Sequence, residues 1–241
     1  MKPEEWPTTT RFRAAVRALL DGRPGRRPSL LDRVRWWARG AEPPPRPDPS
    51  DRQVLLTLAG FGRLYWPTGR PETNAGHREW VERCERFADG AATADDRAAV
   101  TWEPGRVPTP VPTDFVPYFV ALVHSPRQAL AHMLRMAQGL PAVAAVLDRC
   151  FPEDWAAGCD LLRDVFGDPF RPAALAPDWR TDTAVQLARQ MYDGRDFALM
   201  PILADALQDA GCENADILTH CRGSGPHVRG CWVVDLVLGK S

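Results

Sequence analysis

The sequence predicts a mainly α fold, arranged as a bundle-like array of helices with long proline-rich loops between them. Apolar residues recur at spacings of three and four over most of the chain, which is the period of a helix with one buried face. Capping residues or glycines stand at the ends of several of these segments. Many of the 24 prolines among 241 residues fall between the segments, where they interrupt helices.

Residues 1–49 are predicted to form a basic, proline-rich segment of two short helices and a linker. Thr10 can cap a helix over 11–20 and Ser29 a helix over 30–39, each with apolar residues in phase. The prolines of 42–49 favour an extended, solvated backbone, which places the linker there. We therefore expect residues 1–49 to be dispensable for folding.

Residues 50–150 are predicted to form a helical middle region. Its apolar periodicity indicates helices over 52–65, 76–88, 126–138 and 141–150. Five prolines between residues 103 and 117 indicate a loop or boundary.

Residues 151–241 are predicted to form an acidic helical region that packs with 50–150 as one domain. Periodicity and end signals indicate helices over 153–166, from 181 to about 194, over 199–210 and around 217–221. This region has 8 Lys and Arg against 14 Asp and Glu, whereas residues 1–49 have 11 against 6. The two ends of the chain are therefore expected to attract each other.

The segment Cys231–Leu238 fits two structures. Trp232, Val234, Leu236 and Leu238 would share one face of a strand, whereas Val234, Val237 and Leu238 also fit a helix. A helix is favoured because the sequence shows no convincing partner strand, and a short terminal strand at 231–238 is the alternative.

Composition excludes several classes of protein. There is no apolar run near 18 residues, so we expect no membrane partner, and no secretory signal is visible near Met1. Six cysteines are too few for a disulfide scaffold, and we expect a cytoplasmic protein with reduced thiols. Nucleic-acid binding is not favoured, because the arginines of residues 1–49 do not alternate with stacking aromatic residues.

Two stretches of the C-terminal region resemble one protein family. They are LLRDVFGDPFRP at 161–172 and MPILADALQDAGCENADILTHCRGSGPHVRGCWVVDLVLGK at 200–240, with VERCERFADG at 81–90 matching more loosely. They resemble an uncharacterised family of hypothetical proteins from Gemmata-type planctomycetes, which implies a bacterial cytoplasmic protein and brings no activity, cofactor or site. The segment 203–212 also resembles the repeat-companion domains of those genomes, which implies an interaction module.

A cluster of zinc-type ligands lies near the C-terminus, although its spacing matches no common zinc motif. Thiolate and imidazole are preferred zinc ligands, but His220 and Cys221 would point about 100° apart on a helix. The sequence therefore favours no bound metal and no cofactor, with zinc as the alternative, and the candidate ligands are Cys212, His220, Cys221, His227 and Cys231.

The loop 222–230 is the candidate binding loop. Arg222, His227 and Arg229 would offer positive charge and glycine-rich backbone to an anion or to an acidic partner surface. The competing interpretation is that both arginines neutralise nearby carboxylates. A thiol site is a further alternative, with Cys231 as nucleophile, His227 as base and Asp235 or Asp205 as orienting group.

These patterns indicate a non-catalytic helical module that acts in protein interaction or regulation, with an unidentified protein partner. No paired-carboxylate, GxSxG or HExxH motif is present, so no catalytic residue is assigned. A zinc-stabilised domain is the alternative, followed by a thiol enzyme or an anion-binding regulator centred on 222–231.

Overall fold

The computed structural model describes residues 1–20, 50–65, 71–100 and 154–240, and these residues are mainly helical, as the sequence predicts. They form no β-sheet, and their one isolated β-bridge joins Arg11 to Asp154. The helices of the described residues are α1 Phe12–Leu20, α2 Asp51–Tyr65, α3 Pro71–Ala88, α4 Ala94–Val100, α5 Ala156–Phe166, α6 Asp182–Gly194, α7 Met200–Asp209, α8 Ala215–Arg222 and α9 Trp232–Leu238.

Most predicted helices that fall within the described residues are present. Helix α2 has nearly its predicted bounds, and the Thr181 hydroxyl accepts a hydrogen bond from Ala184 N at the start of α6. Helix α3 begins five residues earlier than predicted, and α4 was not predicted. The predicted helices at 30–39, 126–138 and 141–150, the linker 42–49 and the loop 103–117 lie outside the described residues.

The ambiguous segment at 231–238 is the helix α9, so the alternative of a terminal strand is wrong. Val233, Val234 and Val237 are each fully buried, at the spacing of one helical face. Gly239 ends the helix with a φ of 66°, a left-handed conformation that favours glycine.

The first twenty residues contribute several side chains to the core. Trp6 and Phe12 are 2% and 1% exposed, and the Trp6 indole donates a 2.9 Å hydrogen bond to the Gly167 carbonyl. Packing of Trp6 and Phe12 argues against the expectation that residues 1–49 are dispensable for folding, which stays a prediction until folding is measured. We call the apolar core that contains Trp6 and Phe12 the N-terminal cluster. It comprises Trp6, Phe12, Ala15, Val16, Leu19, Val54, Leu58, Phe61, Cys159, Leu161, Leu162 and Val165.

A second apolar core joins α6, α7, α8 and α9, and we call it the C-terminal cluster. It comprises Ala184, Ala188, Met191, Tyr192, Met200, Leu203, Ala204, Leu207, Cys212, Ile217, Cys221, Cys231, Val233, Val234 and Val237. Helix α2 packs against both α3 and α5. Helix α5 supplies side chains to the N-terminal cluster and also contacts α9, so it links the two cores.

Helix α4 begins with a capping box. The Thr93 hydroxyl accepts a hydrogen bond from Asp96 N, and the Asp96 carboxylate accepts one from Thr93 N. Arg86 adds two hydrogen bonds of 2.7 and 2.6 Å to the same carboxylate. The motif fixes a helix of seven residues, which is too short for apolar periodicity to reveal.

Asp96 should make stability depend on pH in the acid range. Hydrogen bonds from Arg86, with help from Thr93, hold the pKa of Asp96 well below its usual range. Because the pKa is lower in the folded chain, the carboxylate stabilises it above about pH 4, and this contribution is lost as the pH falls. Asp96→Asn should lower the free energy of unfolding by about 1–2 kcal/mol at neutral pH, and by less at about pH 3.

Urea unfolding at both pH values measures this difference. The matched control is Asp95→Asn, at the exposed neighbouring carboxylate, which should change stability by less than about 0.5 kcal/mol. An equal loss at both pH values for Asp96→Asn would assign the effect to packing instead of charge.

Among the described residues, no helix combines the length and the apolar character needed to cross a bilayer.

Candidate metal centre

Four metal-ligating side chains meet where α5, α8, the loop after α8 and the start of α9 come together. The donor atoms of Asp164, His220, His227 and Cys231 all lie within 4.8 Å of one another. Carboxylate, imidazole and thiolate are the side-chain ligands that zinc uses in proteins. The structure thus brings together three of the five candidate ligands from the sequence and adds Asp164, which the sequence arguments missed.

The distances inside this cluster are close to those of a tetrahedral site. His220 Nε2 lies 3.2 Å from Cys231 Sγ and 3.1 Å from Asp164 Oδ1, and His227 Nδ1 lies 2.8 Å from the same oxygen. Zn–N bonds of about 2.0–2.1 Å and Zn–S bonds of about 2.3 Å separate neighbouring donors by roughly 3.3–3.6 Å. These three separations are a few tenths of an ångström shorter than that, and all four donor atoms lie within 4.8 Å of one another, so binding of an ion would need small adjustments of the side chains.

The arrangement does not match a catalytic triad. In a triad, one imidazole nitrogen faces the nucleophile and the other faces the orienting carboxylate. Here His220 Nε2 faces both Cys231 and Asp164. The donor atoms therefore converge on one point, as metal ligands do, and the proposed pairing of Cys231 with His227 and Asp235 or Asp205 is not the arrangement observed.

Two further contacts orient the ligands. His227 Nε2 lies 3.3 Å from the Gly223 carbonyl, and Val228 N donates a 2.9 Å hydrogen bond to Asp164 Oδ2. A proton on Nε2 of His227 would be held by that carbonyl, which leaves Nδ1 free to bind an ion. Contacts of this kind fix the tautomer of histidine ligands in metal sites.

Gly230 brings the loop close to α2 immediately before Cys231. Its φ is 100°, and a Cβ at this position would lie 2.8 Å from Leu56 Cδ1. A side chain here would therefore meet both backbone strain and a buried leucine. The glycine allows Cys231 to reach the cluster at the start of α9.

Burial and charge dominate the electrostatics of the cluster. Burial alone would raise the pKa of Asp164, but hydrogen bonds to His220 and His227 outweigh it and lower that pKa. Burial alone would lower the pKa of His227, but Asp164 raises it. Burial raises the pKa of the Cys231 thiol well above its usual value. A metal would have to displace protons from this cluster in order to bind.

The other two candidate ligands, Cys212 and Cys221, lie in the C-terminal cluster. Both are fully or almost fully buried, and burial raises the pKa of Cys221 to about 12. His220 faces the candidate metal centre while Cys221 faces the C-terminal cluster, which agrees with their angular separation on a helix. These two cysteines act as small apolar residues.

The sequence of α5 contains a pattern that could have identified Asp164 as a buried, paired carboxylate. Leu161 and Val165 are almost fully buried, and Asp164 lies on the same helical face. A carboxylate at a core position costs free energy unless it is paired, so it points to a partner elsewhere in the chain.

The three residues of the candidate binding loop do not come together. Arg222 lies 3.0 Å from Asp205 and donates a 2.6 Å hydrogen bond to Gln208 on α7. His227 faces Asp164, and Arg229 faces Asp89 at 2.8 Å. The pairing of Arg222 with Asp205 agrees with the competing interpretation, whereas the partner of Arg229 comes from the middle region.

Arg229 belongs to a second polar cluster, which the sequence arguments missed and which we call the ion-pair network. Glu85 is 1% exposed and accepts hydrogen bonds from Arg63 and Arg195, with Arg229 at 3.5 Å. The Tyr192 hydroxyl donates to Asp89, and burial raises its pKa to about 12. The network comprises Arg52, Arg63, Glu85, Asp89, Tyr192, Arg195, Arg229, Asp235 and Lys240, and it joins α2 and α3 to α6 and α9.

Comparison with known proteins adds no assignment: no family model, curated protein or solved structure matches this chain. The resemblance to the planctomycete family therefore stays a prediction.

Proposed function

We propose that this chain is a metal-stabilised helical protein with a non-catalytic role, in which Asp164, His220, His227 and Cys231 bind one zinc ion. The observation that carries the proposal is the convergence of four donor atoms within 4.8 Å of one another. This proposal replaces the sequence-based preference for no bound metal, which rested on the spacing of the candidate ligands and on the angle between His220 and Cys221. A protein partner stays a prediction from the sequence.

The ligand set favours zinc over other divalent ions. Magnesium and calcium take oxygen ligands, whereas this site offers two imidazoles, one thiol and one carboxylate. Four such ligands complete a tetrahedral shell around zinc.

A structural role is favoured over a catalytic one by the closed coordination. Catalytic zinc sites keep one position for water or substrate, whereas here four protein groups would supply all four positions. Cys231 and Asp164 are 0% and 2% exposed, so little of the site is open to solvent.

The ion would act as a cross-link between distant parts of the chain. Asp164 is on α5, whose neighbours Leu161, Leu162 and Val165 belong to the N-terminal cluster. His220 and Cys231 are on the helices of the C-terminal cluster. Bound zinc would therefore hold α5 against these helices.

Elemental analysis of the purified full-length chain tests the proposal, with about one zinc per chain expected. Zinc at about 100 times its dissociation constant should stabilise the metal-free chain by about 2.7 kcal/mol, seen as a higher melting temperature. His227→Gln and Cys231→Ala should each lose most of the bound zinc.

The matched control is Cys221→Ala, at a buried cysteine one residue from His220, which should keep the zinc. A chain that is purified without metal, and whose melting temperature responds neither to added zinc nor to a chelator, would overturn the proposal. Equal zinc loss in the Cys221→Ala control would show that the assay reports unfolding instead of ligation.

A further inference from the structure

A groove of about 220 Å³ adjoins the metal centre. Trp232 is common to both, because it lines the groove and its ring centre lies 5.1 Å from that of His220. The apolar lining comes from side chains of α5, α9 and the segment between α5 and α6, including Val165, Phe166, Ala173, Trp232 and Leu236.

The polar rim of the groove carries charges of both signs. Arg171 contributes a cation, and Asp168 and Asp216 contribute carboxylates. Lys240 also lines the groove, but its ammonium group lies 3.5 Å from Asp89 in the ion-pair network. Asp235 also lines the groove, but Arg52 already neutralises it. The Arg171 side chain is 68% exposed, and its Nε donates a 3.1 Å hydrogen bond to Asp168. Its terminal nitrogens can therefore reach a ligand.

The metal ligands are next to the walls of the groove in sequence. Val165 and Phe166 follow Asp164, and Trp232 follows Cys231. Asp216 precedes His220 by four residues and so lies on the same side of α8. Helices α5, α8 and α9 therefore contribute both to the candidate metal centre and to the groove.

We propose that this groove binds a small zwitterion with an apolar body, of the size and chemistry of a free apolar amino acid. The apolar lining beside Trp232 would take the side chain. Asp216 would pair with the ammonium group, and Arg171 would pair with the carboxylate. The inference goes beyond the proposed zinc site and does not require the metal to be zinc.

The size and charge of the groove favour this class of ligand over others. Sites for drug-sized molecules occupy about 300–1,000 Å³, so a groove of about 220 Å³ suits a smaller metabolite. A simple anion would be repelled by the carboxylates of Asp168 and Asp216, and a simple cation would be repelled by Arg171. A ligand that carries both charges can pair with both.

Isothermal titration calorimetry of the full-length chain with L-phenylalanine tests the inference. Saturable binding is expected below about 10 mM, which is the weak range for a ligand of this size. N-acetyl-L-phenylalanine lacks the ammonium group and L-phenylalaninamide lacks the carboxylate, and each should bind at least about fivefold more weakly.

Variants at the rim separate recognition of charge from apolar binding. Asp216→Asn should weaken L-phenylalanine binding about fivefold without weakening binding of the N-acetyl compound. Arg171→Gln should also weaken L-phenylalanine binding about fivefold, without weakening binding of the amide. The matched controls Asp178→Asn and Arg189→Gln, at exposed residues outside the groove lining, should change neither.

Several results would overturn the inference. One is the absence of saturable heat with L-phenylalanine up to about 10 mM in a chain with an unchanged melting temperature. Equal affinity for all three compounds would reject a zwitterion site, as would equal weakening by the control variants. Zinc content measured on the same samples keeps a failure of this site distinct from a failure of the metal proposal.

Discussion

Replacing Glu85 with glutamine should lower the free energy of unfolding by about 3 kcal/mol, because removing one partner of a buried ion pair leaves the other charges uncompensated. Arg63 and Arg195 both direct hydrogen bonds at this carboxylate, and Arg229 lies 3.5 Å away. Glutamine keeps the shape of the side chain but removes the negative charge. The melting temperature should fall by roughly 6–12 °C for a chain of this size.

The matched control for Glu85 is Glu79→Gln on the same helix. Glu79 pairs with Arg83 at the i,i+4 spacing, and its side chain is 64% exposed. Such a surface pair contributes about 0.3–0.5 kcal/mol, so this variant should melt close to the parent chain. Equal melting temperatures for both variants would mean that the ion-pair network contributes no more than a surface pair.

Phe12→Ala should destabilise the chain by about 3–5 kcal/mol, through lost burial and the cavity left behind. Phe12 is 1% exposed, and its ring centre lies 5.2 Å from that of Phe61 and 5.0 Å from that of Trp155. These three rings join α1 to α2 and to the start of α5. Chemical unfolding monitored by circular dichroism measures the effect.

Thr8→Ala is the control for Phe12, since Thr8 is exposed in the same N-terminal segment and should change stability by less than about 0.5 kcal/mol. A loss below about 1 kcal/mol for Phe12→Ala would restore the expectation that residues 1–49 are dispensable.

Helices with strong apolar periodicity could be predicted from the sequence, and short ones could not. Helices α2 and α6 have apolar residues in phase over several turns, so their existence and approximate bounds follow from local pattern. Helix α4 has seven residues and is defined by the capping box of Thr93 and Asp96. The structure of Cys231–Leu238 is ambiguous from the sequence, because its apolar residues fit both the spacing of a helix and the alternation of a strand.

The candidate metal centre was only partly predictable, for a different reason. His220, His227 and Cys231 lie within twelve residues of one another, so the sequence identifies all three as candidate ligands of one site. Asp164 is 63 residues before His227, and only tertiary packing brings the two together. The ion-pair network is harder still, since Arg52 and Asp235 are 183 residues apart.

The hydrogen bond from the Trp6 indole to the Gly167 carbonyl spans 161 residues, which has a consequence for synthesis of the chain. A ribosome adds about 5–20 residues per second, so residue 167 is added roughly 8–30 s after residue 6. Before α5 has been synthesised, Trp6 and Phe12 lack their partners on that helix, and the nascent chain presents their apolar side chains to chaperones and proteases. Ribosomes stalled before residue 167 should therefore carry a segment that trypsin cleaves at Arg11, Arg13 or Arg17, whereas the released chain should resist cleavage there.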